Sequence, residues 1–397
     1  MKTVISSEKN PIKIWTDYVE EGALEQIKNL ANHPVINHSV CLMSDCHQGY
    51  GMPIGGVIAC TDAIIPNAIG VDIGCGMAAI KTSIKYNDIN DDILKNIRKD
   101  ILNKVPVGRN VHSNFVERTK NIVDYLSYQI SEKEYNRMRK SLGTLGGGNH
   151  FMEIQKDEDD YIWFMIHSGS RNLGYILAKY YNDIALKLNK KYHSNIPSND
   201  LAFFPIDSDE ASAYINDMNI ALNFARKNRE FMKNVFKTII KQYISNIVFN
   251  EDINIHHNYA SLEHFKNKNL WIHRKGATAA YEGKNGIIPG SMGTNSYIVK
   301  GKGTNLSYCS CSHGAGRNMS RIDACINIKK DEHDKMMHGI IRGREDIIKR
   351  GRAKDKLDLL DLSESPFAYK NIDVVMDNQK DLVEIIYKLE PLVSIKG

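Results

Sequence analysis

The chain has 397 residues, 42% of them apolar and 25% charged, the balance of a globular protein rather than a disordered or fibrous one. No run of about 18 apolar residues occurs, and the opening Met1-Lys2-Thr3-Val4-Ile5-Ser6 leads into charged sequence, so neither a membrane span nor a secretory leader is expected. Seven cysteines without disulfide-type spacing predict a reducing compartment, the cytoplasm, and a net charge of +5 permits a nucleic-acid partner without demanding one.

In chain order, Glu20 to Ala31 reads as a helix with Leu24, Ile27 and Leu30 on one face, ended by Asn32-His33-Pro34. A glycine-rich loop, Ser44 to Gly56, runs into the strand-like Val57–Cys60, and a second, Gly70 to Gly76, feeds a strand reaching Ile84. Isoleucines at 89, 93, 97 and 101 predict an amphipathic helix over Asp88–Asn103. A third glycine-rich loop, Leu142 to His150, leads into Phe151–Ile154, and the apolar run Tyr161–Ile166 predicts a buried strand that stops at His167. Asp207 to about Tyr243 is the longest helical stretch, opened by Asp207 and Glu210 and expected to break once. A strand is expected around Tyr297–Val299, and the charge-dense Asp331–Lys356 is expected to be an exposed helix. The length alone allows two or three domains. The glycine-rich loops, however, are spread along most of the chain beside strands, which favours one domain over 1–397 with its loops converging on a single cleft.

Ser310 to Arg321 is the natural seat of chemistry. His313 precedes Gly314, Ala315, Gly316 and Arg317, a turn that can bring backbone N–H groups close to an anion, with a guanidinium fork suited to phosphate. Asp72 and Cys75 can address one centre from a tight loop, and His150, His167 and His273 each stand at a strand–loop junction. Singly, each is better read as a turn or core residue. Together they form a donor set for two borderline divalent ions, with the thiolate able to bridge. It is not a zinc-finger pattern, since the donors are dispersed and no paired Cys-x-x-Cys exists. Standard nucleotide loops are missing; Gly283-Lys284-Asn285 comes nearest to a Walker motif and fails.

Taken in order, Asp45–Gly56, Gly70–Gly76, Gly146–Glu153, His167–Gly174, His273–Ala277, Pro289–Ser296 and Ser310–Arg321, with Lys396-Gly397, resemble the RtcB-type RNA ligases of tRNA splicing and RNA repair. The resemblance implies that family's α+β fold, mixed sheets and helices around a deep metal-lined cleft. It implies joining of RNA 2′,3′-cyclic phosphate or 3′-phosphate ends to 5′-hydroxyl ends, dependent on GTP and two Mn²⁺. His313 would be the nucleophile that carries GMP, and Asp72, Cys75, His150, His167 and His273 the metal ligands. Asn149 would contact phosphate, while Glu153, Ser291, Ser296, Lys396 and the aromatic Tyr369 would form the guanosine pocket around the His313 loop. Arg171 and Arg317 would meet RNA phosphates, and Asp45 and His47 would support the ligands from behind. One departure stands out: Ser44 occupies a position where many members carry proline. RNA is the implied partner, an accessory activator protein is allowed, and a monomer is expected. A metal-dependent phosphoesterase acting on RNA ends without joining them would use the same metals, but would leave His313 and Lys396 without a task.

Overall fold

The computed structural model describes residues 1–116, 125–350 and 357–397. A mixed six-stranded sheet, an antiparallel seven-stranded sheet and a set of helices make an α+β architecture, as the family resemblance implied. The first sheet has six strands in the order Thr3–Ile5, Ile12–Ile14, Val40–His47, Ile54–Cys60, Lys268–Lys275 and Asn258–Phe265. Along Ile54–Cys60 the side chains alternate between faces, as a strand's period of two requires: Val57 and Ala59 enter one core cluster, Ile58 and Cys60 another. Helix α1 (Glu21–Ala31) covers the second of these through Ile27 and Leu30.

The second sheet has seven strands, ordered Phe249–His256, Gly76–Lys85, Tyr161–Ser168, Phe151–Lys156, Val383–Lys396, Ser296–Gly301 and Asn285–Ile288. It is buried on both faces. Ile162, Phe164 and Ile166 face one cluster, Trp163 and Met165 the other. The first face is closed by α2 (Asp91–Lys104) and by the long helix Asp209–Tyr243, whose Phe236 stacks on Phe164 with ring centroids 4.1 Å apart. The isoleucine spacing places α2 correctly, with Ile97 and Ile101 buried and Asn90 as its N-cap, the side chain accepting from the Ile93 amide at 2.9 Å. Two further helices, Glu132–Ser141 and Asn172–Lys191, pack against the same long helix or its neighbours.

Two expectations are corrected. The long helix runs unbroken for 35 residues because no proline or glycine interrupts it, and its cap is Ser208, which accepts from the Ala211 amide at 3.1 Å, not Asp207. In the charged segment only Lys330–Met336 is helical; Ile347–Arg350 instead pairs with Leu357–Leu360 as a hairpin, and residues 351–356 lie outside the described residues. Among the described residues, no helix is long and apolar enough to cross a membrane.

Candidate metal centre and nucleotide cavity

Strand register gathers the predicted donors on one rim of the seven-stranded sheet. Gly76 lies opposite both His256 and Ser168, His167 opposite both Met77 and Phe151, and Phe151 opposite Lys396. Cys75, His150 and His257 are each one residue off those strand ends, so they meet His167 and Lys396 at the same edge. Residues far apart in sequence thus become neighbours through ladder geometry alone.

The contacts within this group are close. The Cys75 Sγ lies 3.4 Å from His150 Nε2 and 3.2 Å from His167 Nε2. Asp72 Oδ2 is 3.1 Å from His150 Nε2, and His167 Nε2 is 3.3 Å from His257 Nε2. Backbone carbonyls fix the ring orientations. His150 Nδ1 meets the Leu145 carbonyl and His167 Nδ1 the Asn149 carbonyl, both at 3.1 Å. With Nδ1–H donating there, His167 Nε2 presents a lone pair to the cluster, and His150 Nε2 would do so once a cation took the place of the proton it shares with Asp72, the arrangement of a metal-ligating histidine. Burial drives His167 and His257 well below the ordinary histidine range, and neighbouring cationic groups push the same way, so both rings are neutral. Asp72 is held low: burial works to raise it, but the hydrogen bond and charge of His150 outweigh that. Burial and the adjacent Asp72 push the Cys75 thiol up, a preference that a bound cation reverses. His167 and His257 face each other through Nε2 at 3.3 Å, where one shared proton suffices in the free protein and a cation can take its place. The donor set therefore fits divalent metal.

The structure does not bring His273 into this group. Its ring is fully buried in the six-stranded sheet, with Nε2 accepting from the Ile65 amide at 3.1 Å and Nδ1 donating to the Trp271 carbonyl at 3.1 Å. Both nitrogens are spent, and the third imidazole of the cluster is His257, which the sequence reading passed over. His257 is the single residue between Phe249–His256 of one sheet and Asn258–Phe265 of the other.

His313 follows the short strand Ser310–Ser312 and stands against the cluster, its ring 4.6 Å from that of His257 and nearly perpendicular to it. Asp45, fully buried, receives three hydrogen bonds on Oδ2: from His313 Nδ1 at 2.6 Å, the His313 amide at 3.0 Å and the Gly314 amide at 3.2 Å. Burial works to raise Asp45, yet the charge and hydrogen bonds of His313 hold it below the usual carboxylate range. Gly316 allows this approach, since a Cβ there would lie 2.0 Å from the Asp45 carbonyl oxygen. His47 Nδ1 meets the Asp45 carbonyl at 3.1 Å, so the Asp45–His47 pair does stand behind the reactive ring.

A cavity of about 1200 Å³ opens over His313 and the cluster. It is lined by most of the predicted set, including Asp72, Cys75, Asn149, Ser291, Tyr369 and Lys396, and by the turn from Gly314 through Ala315 and Gly316 to Arg317. Glu153 and Ser296 lie beneath it, joined through Gln155, whose Nε2 is 2.8 Å from Glu153 and 3.1 Å from Ser296. Burial pushes Glu153 up to about 8 against the pull of Lys396. Arg317 and Arg171 are less free than the sequence suggests. Arg317 binds the Met319 and Ser363 carbonyls, the Tyr369 hydroxyl and Glu364, and lies over the Tyr369 ring at 4.9 Å. Arg171 donates to Thr144 Oγ1 and the Gly108 carbonyl at the start of the helix Asn172–Lys191. Glu364, unforeseen, is the hub of the cationic side: Arg317, Arg321 and Lys396 all reach it within 3.4 Å, and Tyr369 donates to it.

Comparison with known proteins agrees with this geometry. The sequence model of the family described as tRNA-splicing ligase RtcB matches residues 26–127 and 112–397. The chain is 37% identical to the RNA-splicing ligase RtcB of Escherichia coli strain K12, covering 99% of each, and 31% identical to the tRNA-splicing ligase RtcB of Nanoarchaeum equitans, covering 95% of this chain and 92% of that one. The tRNA-splicing ligase RtcB of Methanococcus maripaludis is 30% identical over 96% of the chain. With the donor cluster, His313 and the cavity in one place and the likeness spanning the whole sequence, the chain belongs to the RtcB family of tRNA-splicing ligases.

Proposed function

We propose that the chain, acting as one unit over 1–397 and as a monomer, joins RNA 2′,3′-cyclic phosphate or 3′-phosphate ends to 5′-hydroxyl ends, with GTP as energy source and two Mn²⁺ as resident metal. One observation carries the reading: an imidazole whose Nδ1 is held by a buried carboxylate, leaving Nε2 free, stands against a four-donor-residue cluster with a fifth, His257, completing it.

The roles follow from position. Cys75 stands between an Asp72–His150 pair and a His167–His257 pair, so its sulfur is the group that would be shared by two ions. Mixed O, N and S donors suit Mn²⁺, which when bound supplies Lewis acidity toward phosphate oxygens. His313 Nε2 attacks the α-phosphorus of GTP; a P–N bond forms and the bond to pyrophosphate breaks. Asp45 retains the Nδ1 proton and offsets the positive charge that develops on the ring. GMP then passes to the RNA 3′-phosphate, the 5′-hydroxyl attacks that phosphorus, and GMP leaves. A bare phosphate is a poor electrophile, and GMP gives it a leaving group. Ser291, Tyr369 and Lys396 line the space for guanosine, with Glu153 and Ser296 beneath, and Asn149 faces the phosphates. The cytoplasm as the working compartment and an accessory activator are consistent with this reading.

The test is direct. Incubation with α-labelled GTP and Mn²⁺ should label the protein, and His313→Ala should abolish the label; label surviving the substitution refutes the nucleophile. Joined RNA, rather than 3′-phosphate ends left unjoined, separates a ligase from a phosphoesterase.

A further inference from the structure

The hairpin that carries Asp45 also carries an aromatic ring that the reaction as described leaves unused. Val40–His47 pairs with Ile54–Cys60, with His47 opposite Ile54, so residues 48–53 form the connecting loop. Tyr50 stands in it, 55% exposed, and lines the same cavity as His313. Five residues from Asp45, its backbone lies within roughly 18 Å of that residue even if fully extended.

An exposed loop aromatic is ordinarily mobile, but the backbone of this one is fixed from two sides. The Gln26 amide donates to the Gly49 carbonyl at 2.7 Å and accepts from the Gly49 N–H at 3.0 Å. Lys275, only 3% exposed, turns its ammonium onto the Tyr50 carbonyl and onto the Asn67 carbonyl at 3.4 Å. The Asp200 carboxylate faces the Tyr50 hydroxyl and raises its pKa above the ordinary tyrosine value, marking one end of the ring and leaving its surface open. Burying an ammonium on two carbonyls is costly, and here the fixed object is the peptide that presents Tyr50. The cations around this cavity, Lys275, Arg317, Arg321 and Lys396, are matched by Glu20, Asp72, Asp323 and Glu364, so a strand end is held here by contacts to its bases as well as by charge.

We propose that Tyr50 is a stacking platform for a terminal base of the RNA, positioning the strand end over His313. Every base has a π-face, so such a platform grips RNA ends without choosing their sequence. It also costs little entropy on binding, because the peptide that presents the ring is already held. This inference rests on the RNA-ligase reading and names a substrate contact within it.

Steady-state joining of RNA with 3′-phosphate and 5′-hydroxyl ends tests it. Tyr50→Ala should raise the KM for RNA about tenfold, the scale of one lost base–aromatic stack, with the loss confined to the RNA-dependent step. Tyr50→Phe, which keeps the ring and drops only the hydroxyl facing Asp200, should restore KM. RNA carrying 2-aminopurine at the terminal nucleotide should be quenched on binding to the wild type and the Phe variant but not to the Ala variant. Quenching with either end labelled supports the platform; none with both overturns it. An unchanged KM in the Ala variant, failure of Phe to rescue, or an equal fall in guanylylation without RNA also overturns it. If the wild type takes no label from GTP, the ligase chemistry fails separately, and the fluorescence arm still decides the stack.

Discussion

Asp45→Asn isolates what readies His313. In the wild type Oδ2 accepts from the ring Nδ1 at 2.6 Å and from two backbone amides, whereas Oδ1 has no partner. Asparagine is nearly the same size, and with its oxygen at the Oδ2 position both backbone bonds survive. What goes is the negative charge. A hydrogen bond to a charged group contributes about 1.5–3 kcal/mol against 0.5–1.5 for a neutral one, and the ring gains positive charge as Nε2 bonds to phosphorus. Together these give a loss of about 2 kcal/mol in the transition state, or roughly thirtyfold in rate. Folding should weaken as well, since a carboxylate held below its usual range stabilises the fold and the new amide N–H group replaces an Oδ1 that has no partner, so labelling is read well below both melts. Single-turnover transfer of label from α-labelled GTP, beside a thermal melt, measures both. A labelling rate within threefold of wild type would refute the claim that the Asp45 charge readies the imidazole.

His257→Ala should lower bound Mn²⁺ by elemental analysis, whereas His273→Ala should cost stability with metal content intact, since both its nitrogens serve the backbone. Cys75→Ser should weaken both metal positions together; two ions held at normal affinity would contradict a shared sulfur. Adding Mn²⁺ to metal-stripped protein should raise Tm, with about 2.7 kcal/mol gained per site at a hundredfold excess over Kd; a flat Tm would argue against the centre. Glu364 is held below the ordinary glutamate value of 4.5, burial opposing and Lys396, Arg321 and Arg317 prevailing. A depressed carboxylate stabilises above its unfolded pKa and loses that stabilisation as pH falls through the folded one. Glu364→Gln should therefore cost about 3 kcal/mol of stability at pH 7 for cations left unpaired, seen as a lower Tm, and the gap to wild type should narrow below pH 4.5.

Local pattern revealed more of this protein than distant pairing did. Helix α2 was legible because isoleucine recurs every four residues, and Tyr161–Ile166 because an unbroken apolar run fits a strand buried on both faces. The charged segment misled, since charge density does not distinguish a solvated helix from a solvated hairpin. Site residues beside glycine turns were recognisable, yet His273 and His257 could not be told apart without register. His273 sits inside a strand and is met by backbone, while His257 falls where alternation lapses between two strands, a signal present in the His256-His257-Asn258 run. Glu364 leaves no trace of that kind, because its cationic partners lie 32 to 47 residues away and only the folded chain unites them.

The crossing at His257 has a mechanical consequence. One residue joins the two sheets, and its ring also faces the donors gathered on the rim of one of them. Any sliding of sheet against sheet must drag that imidazole relative to the sulfur and the nucleophile. A metal ion held there would fasten a seam as well as act on phosphate, and amide exchange along both flanking strands should then quicken when a chelator draws the rivet out.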